Sequence, residues 1–426
     1  MPKTLVVTTR LPFPPVSGQK IMLGNVCRAL AEHCGHEIVV AGVVDDPSYP
    51  EQRPAFIARL HPLHTLSFPK RLGNLLRYSF FGRSLPQQVA LFYDRSIIAR
   101  VRAIIEDEKP DAVVVSLVRA TEYCKDFKGF KIFDMTDRLS SRYAQQLRMI
   151  GKIENPFGDY LSRVPSPIAF VLRREYFKKG LLAMEQRLLE RYEADMINTY
   201  DATVVVNPLE HIELRAQFPR RSIFHIPIAV DIEWLGQDLG VRPEPDTIAF
   251  LGSLNVSHNE DTVLHFLREI FPLIRARRPG AQFLCVGEKP TRKILEHRND
   301  PGVKITGRVD DFRPWVRRAQ LFMNSVRFGT GIKVKILEAM AMGVPVVTTT
   351  IGNSGLGARN EYEILVADQP RTFADAVIRL FEDAPLRERI AANALALVRS
   401  RYSIRGIAEA WKDLFVKCGH PELARR

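Results

Sequence analysis

The sequence lacks the usual marks of a cross-linked, metal-bound or membrane-spanning chain. Its five cysteines, Cys27, Cys34, Cys124, Cys285 and Cys418, are odd in number, scattered and without a CxxC pair. That argues against a disulfide framework or zinc site and for a reducing, cytoplasmic compartment. No run approaches the ~20 apolar residues that span a bilayer. The start, MPKTLVVTTRLPFPPVSGQK, confines its apolar run to a few residues and follows it with prolines. It reads as a first strand and loop, not as a secretory signal. There is no DxD pair and no His/Cys/Asp cluster at metal-ligand spacing, and Asp45-Asp46 and Asp310-Asp311 read as solvated turns. Neither a resident metal nor a cofactor is therefore expected. Acidic residues are also missing between Gln52 and Tyr93, and the chain carries a formal charge of +13. Such a balance implies acidic company: nucleic acid, anionic lipid or phosphorylated substrates.

What is present is an alternation of strands and helices over 426 residues, long enough for two cores. Thr4–Thr9, Glu37–Val43, Ala112–Ser116, Lys131–Asp134 and Ala202–Val206 read as buried strands, with a helix from about Ile21 to Glu32. The pattern restarts after Asp231. Strands are predicted at Thr247–Leu251, Ala281–Val286, Val303–Ile305, Leu321–Asn324 and Val344–Thr349, with a helix from Glu260 to Arg277. The fold class predicted is α/β, with two facing doubly wound Rossmann-like domains and a cleft at the carboxyl ends of their strands. The first domain covers 1–230 and the second 231–402. The proline-containing stretch His225–Glu244 is the linker, and the helix in 403–426 packs back on the first domain.

The most informative segment is Phe328–Glu338. A strand leads into Gly329-Thr330-Gly331, and a helix follows that ends at Gly343 before Pro345. Glycines let backbone approach a ligand, and the free N–H groups of a first helical turn suit an anion. Lys333 and Lys335 stand at that turn, where the helix dipole disfavours cations by a few tenths of a kcal/mol each. Their presence predicts an anion there. The alternative is that Lys335 pairs with Glu338 at i,i+3 and Lys333 is merely exposed; Lys333 is thus the first choice for the anion. Glu338, pointing back toward the helix start, can accept hydrogen bonds from both hydroxyls of a ribose.

The run GTGIKVKILEAMAMGVPVVTT resembles the donor-binding motif of family-4 retaining glycosyltransferases, which have the GT-B fold. PFPP-x-SG, CGHEIVV, Ile305–Asp311 and Arg371–Tyr402 resemble further pieces of that family in the right order. The resemblance implies a nucleotide-sugar donor. Glu338 would bind the ribose, Gly329, Thr330 and Gly331 the donor sugar or phosphates, and the backbone near Arg308 the base. Gly18 would close on the diphosphate from the first domain, and transfer would proceed with retention. Three departures stand out. The family's glutamate eight residues before Glu338 is Thr330. Its clamp arginine and lysine align with Ser253 and His258 in the loop that Gly252 opens. Its N-domain histidine is replaced by Phe133–Asp137. Charge compensation is accordingly assigned to Lys333, with Lys335 second. Asp134 and Asp137 are the candidates to orient the acceptor or the sugar, Asp137 having an alternative role as a helix N-cap.

Arg53, Arg59, Lys70, Arg71, Arg77 and Arg83 are interleaved with Phe68, Leu72, Leu75, Leu76, Tyr78, Phe80 and Phe81, and Phe170–Lys179 repeats the mixture. Apolar anchors with basic residues suit an anionic membrane surface, placing the protein on the inner face of the cytoplasmic membrane near a polyprenyl-linked or saccharide acceptor. Packing of this segment on its own domain is the alternative, and no nucleic acid is expected. The functions compatible with these features are a polysaccharide-building glycosyltransferase, a nucleotide-sugar epimerase, and an inactive binding subunit.

Overall fold

The computed structural model describes residues 1–13, 18–44, 53–148, 175–329 and 331–424; Thr330, Asp45-Asp46 and the Phe170–Arg174 part of the second basic stretch lie outside them. The described chain forms two compact units. One combines the residues up to Ala229 with those from Ile404 onward, and the other is Val230–Ser403.

The first unit is built on β1 (Lys3–Thr8), β2 (Glu37–Val43), β3 (Arg59–Leu63), β4 (Ala112–Ser116), β5 (Phe130–Thr136), β6 (Ala202–Val205) and β7 (Ile223–His225). They form one sheet in the order β3-β2-β1-β4-β5-β6-β7, with every pairing parallel. Its helices include α1 (Gly18–Cys34), α2 (Phe68–Asn74), α3 (Leu139–Arg148) and α4 (Glu175–Thr199). Parallel strands need crossovers that cover both faces, which is why they are continuous apolar runs. Alternation sorts their side chains. Val6, Ile38, Val40, Val114 and Ile132 share a layer with Leu23, Cys27 and Leu30 of α1. Leu5, Val7, Val39, Val113, Val115 and Phe133 share the other with Leu189, Tyr192 and Met196 of α4.

Two strands carry too little pattern to be seen in the sequence. β3, RLHPL, buries only Leu63 and lies at the sheet edge, where Pro62 costs little; β7 is three residues long. The stretch read as a linker contains short ordered pieces. His225 closes β7, Ile226, Ile228, Ala229 and Val230 are buried, and Asp231 caps the short helix Ile232–Gly236.

The second unit has β8 (Glu244–Leu251), β9 (Gln282–Val286), β10 (Val303–Gly307), β11 (Ala319–Asn324), β12 (Val346–Thr348) and β13 (Leu365–Val366), in the order β10-β9-β8-β11-β12-β13. All are parallel. α5 (Ser257–His265) runs on through a π-helical stretch to Arg277, and α6 (Val334–Ala341) follows β11. The order turns back between β8 and β11. Ligands of doubly wound sheets bind at such a switch point, outside the carboxyl ends of the strands. The chain then returns to the first unit as α7 (Ile404–Lys417), whose Ile407, Trp411 and Phe415 join the layer of α1.

Candidate functional site

The loops after β8, β9 and β11 meet at the switch point of the second sheet. Gly287 follows β9 so closely beneath Gly252 that a Cβ there would stand 1.8 Å from the Gly252 carbonyl oxygen. Gly252 N–H donates to the Val286 carbonyl at 3.0 Å. After β11 the backbone passes through Gly329 at φ 122° and Gly331 at φ 79°, a region that side chains with a Cβ rarely enter. α6 begins directly afterwards. Its N-cap residue, Lys333, provides no side-chain cap, so the first-turn amides are not satisfied from that position.

The two lysines do different things. Lys333 is 7% exposed and folds back onto the glycine loop, its Nζ donating to the carbonyls of Gly331 at 2.8 Å and Gly329 at 3.3 Å. Lys335 reaches across to the other loop. Its Nζ donates to Asn259 Oδ1, lies 4.6 Å from the centre of the Phe250 ring, and would be 2.8 Å from a Cβ at Gly252. Asn259 Nδ2 in turn donates to the Ser253 carbonyl at 2.9 Å, and Ser253 Oγ to Glu288 Oε1 at 3.2 Å. Lys335 therefore bonds to Asn259 rather than to Glu338. Burial, and then repulsion from Lys333, lower the Lys335 ammonium to about 7, against the pull of Glu338. Burial raises the Glu338 carboxyl to about 7, with Lys335 opposing.

Thus Gly252, Ser253, Lys335, Asn259 and Glu338 form one group, and Lys333 with Gly329 and Gly331 another, joined through α6. Arg308 stands apart, exposed beyond the edge strand β10. Thr330 is outside the described residues. Asn259 was missed from the sequence because a helical Asn two residues past Ser257 carries no pattern that tells a bridge from a surface amide.

In the first unit, Gly18 opens α1. Asp134 lies within β5, 4% exposed, and lines a cavity of about 10 Å³ with Met22, Val26 and Trp411. Burial raises its carboxyl to about 6, and the Ser116 and Thr136 hydroxyls hold it back. That volume admits about one water. Asp134 is thus a buried group at the end of β5. Asp137 emerges beyond it. Thr136 has φ 61°, and the Asp137 N–H donates to the Met135 carbonyl at 2.6 Å, a tight γ-turn that redirects the chain. The Asp137 carboxylate pairs with Arg142. Its alternative role as a helix cap is filled from elsewhere. Glu193 of α4 accepts from Ser140 N at 3.2 Å and Ser140 Oγ at 2.5 Å, and Glu210 accepts from the Arg138 amide.

Residues 245–383, nearly the whole second sheet with the glycine loop and α6, match the family described as "Glycosyl transferases group 1". The second unit is that of a group 1 glycosyltransferase. Over 96% of its length the chain is 22% identical to 98% of an uncharacterized 44.6 kDa protein in the cps region of Klebsiella pneumoniae. Over 41% of its length it is 32% identical to 54% of the lipopolysaccharide core biosynthesis mannosyltransferase LpsB of Rhizobium meliloti. Its fold is that of Anabaena Alr3699/HepE, solved in complex with UDP and glucose. The TM-score is 0.61 at 14% identity, over 97% of this chain and 99% of that one. Both Rossmann-like units of the chain are thus of the GT-B kind.

Proposed function

We propose that this enzyme moves a sugar from a nucleotide-sugar donor to a saccharide acceptor, carried on a polyprenyl lipid, with retention of configuration, in the assembly of a surface polysaccharide. The observation that carries the donor half is the convergence at the second switch point of two positive-φ glycines, an N-terminal helical turn, two lysines and Glu338. A departing nucleoside diphosphate accumulates negative charge, and preorganised N–H groups and cations stabilise it. Glu338 accepts from the ribose hydroxyls and the glycine loop faces the phosphates and sugar. Lys333, by gripping two loop carbonyls, keeps that loop in its binding shape. The relatives in a cps region and in lipopolysaccharide core synthesis support the polymer class, and the UDP and glucose bound by a structural neighbour support the donor class. In the first unit, Asp137 is the residue we assign to orienting the acceptor.

The membrane half rests on α2 and the π-helical turns Leu75–Phe81 that continue it. Phe68, Leu72, Leu76 and Phe80, spaced by four, are all exposed, and Phe81 is 83% exposed. In an α-helix a step of four residues overshoots the turn by about 40°; the wider π winding, with Gly82 N–H on the Arg77 carbonyl, undershoots it. The change of winding keeps the stripe on one face while Leu75 and Tyr78 pack inward. The basic component is smaller than the sequence suggests. Arg59 is paired with Glu37 and Glu108, and Lys70 with Asp94. Arg77 and Arg83 accompany the stripe. No described helix is long and apolar enough to cross a membrane, so the lipid contact proposed is interfacial.

Thermal-shift measurements against UDP, GDP, TDP and ADP and their sugars test the donor reading. Stabilisation by one nucleotide series, with slow donor hydrolysis lost in Glu338→Ala, is the expected outcome; no shift with any of them overturns it.

A further inference from the structure

The loop after β8 holds no charged residue at Gly252 or Ser253, yet a cation is delivered to it from another element. Lys335 leaves α6, passes over the Phe250 ring and ends against Gly252, where any side chain would displace it. Among the described residues its hydrogen-bond acceptor is the neutral Asn259 Oδ1. An ammonium has three N–H donors, so two stay available toward the switch point. Asn259 is buried and is itself oriented by its second bond, to the Ser253 carbonyl. Lys333, by contrast, spends its donors on the Gly329 and Gly331 carbonyls.

We infer that Lys335 is the cation that faces the donor's diphosphate, and that Asn259 is the positioning residue that holds it there. The inference rests on the donor reading above and reassigns the charge within it from Lys333. The groups facing Lys335 are Lys333 and Glu338 on α6, Cys285 on β9, and Asn259 on α5. Burial and the Lys333 charge disfavour its protonated form in the free enzyme; an arriving anion favours that form. Diphosphate binding is therefore linked to protonation of Lys335. Glu338, which serves the ribose, titrates nearby and would mask this linkage in a simple pH profile. The ratio of diphosphate to nucleoside affinity isolates it, because both ligands carry the ribose and only one carries the phosphates.

The experiment is calorimetric titration of the full chain with UDP, GDP, ADP and TDP and with the matching nucleosides, between about pH 7.5 and about pH 9, above the titration of the terminal phosphate. With the diphosphate that binds, the affinity ratio is expected to fall about tenfold as the pH rises. Lys335→Arg keeps the ratio high and nearly flat, because a guanidinium stays charged. Lys335→Met lowers diphosphate affinity about 10- to 100-fold with little effect on the nucleoside. Asn259→Ala gives a smaller loss of the same kind, rescued in part by Asn259→Gln. Lys333→Met weakens both ligands together. A pH-independent ratio, or a diphosphate-selective loss in Lys333→Met but not in Lys335→Met, overturns the inference and leaves the donor reading intact. Failure of every diphosphate and nucleoside to bind overturns the donor reading itself.

Discussion

At the level of single residues, the site is governed by close approach as much as by charge. Gly287 lies under the Gly252 carbonyl with no room for a methyl group. Gly287→Ala forces apart the loops that carry Ser253 and receive Lys335. It is expected to destabilise the second unit by about 2–3 kcal/mol and to weaken nucleotide binding, both readable in one set of thermal melts with and without ligand. Glu338 stands at the other extreme, a carboxyl whose packing is replaceable but whose acceptors are not. Glu338→Ala should cost about 3 kcal/mol of donor affinity, roughly 100-fold, because two hydrogen bonds to a charged group are lost. Unchanged melting without ligand would show that the loss is one of binding. Glu338, Lys333 and Lys335 could be singled out in the sequence because a helix start with two lysines breaks a local rule. Asn259 broke none, and its role exists only because α5 brings it within reach of α6.

Single elements carry the lipid contact and the closure of the first unit. The stripe on α2 works as a unit, so Phe80→Ser combined with Phe81→Ser should release the chain from anionic vesicles in flotation while leaving its melting temperature within about 2 °C, since exposed side chains add little to stability. Retention of full binding by this variant would remove the stripe from the interface. α7 shows the opposite case. Trp411 is fully buried against α1, and Trp411→Ala should cost about 3–5 kcal/mol, seen as a lower denaturant midpoint. The helical period of α2 was visible in its apolar spacing. Its change to π winding was not, because i→i+5 hydrogen bonds leave no separate trace in the order of residues. In the same way the start of α3 takes acceptors from distant segments, Glu193 of α4 and Glu210.

The whole first unit has a pH window set by opposing carboxyls. Burial opposes the ionisation of Glu108, yet hydrogen bonds from His61, Arg59 and Lys3 hold it down to about 2; its contribution is present above the unfolded value of about 4.5 and lost as the pH falls. Glu193 and Glu185 are raised by burial to about 7. Their contribution is complete below about pH 4.5 and lost as the pH rises through 7. Melting temperature should therefore fall toward both acid and neutral pH. Glu193→Gln should flatten the neutral limb, by up to about 3 kcal/mol, and leave the acid limb in place. The sequence alone determined the α/β alternation, the doubly wound class and the family resemblance of the second unit, because apolar strands buried on both faces and a glycine-rich turn before a helix are local patterns. It also exposed the chain's departures at Ser253, His258 and Thr330. The tertiary structure decided what local order cannot encode: that Asp134 is internal and Asp137 emergent, that Arg59 and Lys70 are spent on partners, and that Lys335 is aimed at the β8 loop. Each of these depends on which residues from distant segments arrive at the same point, and that is set by strand order and burial.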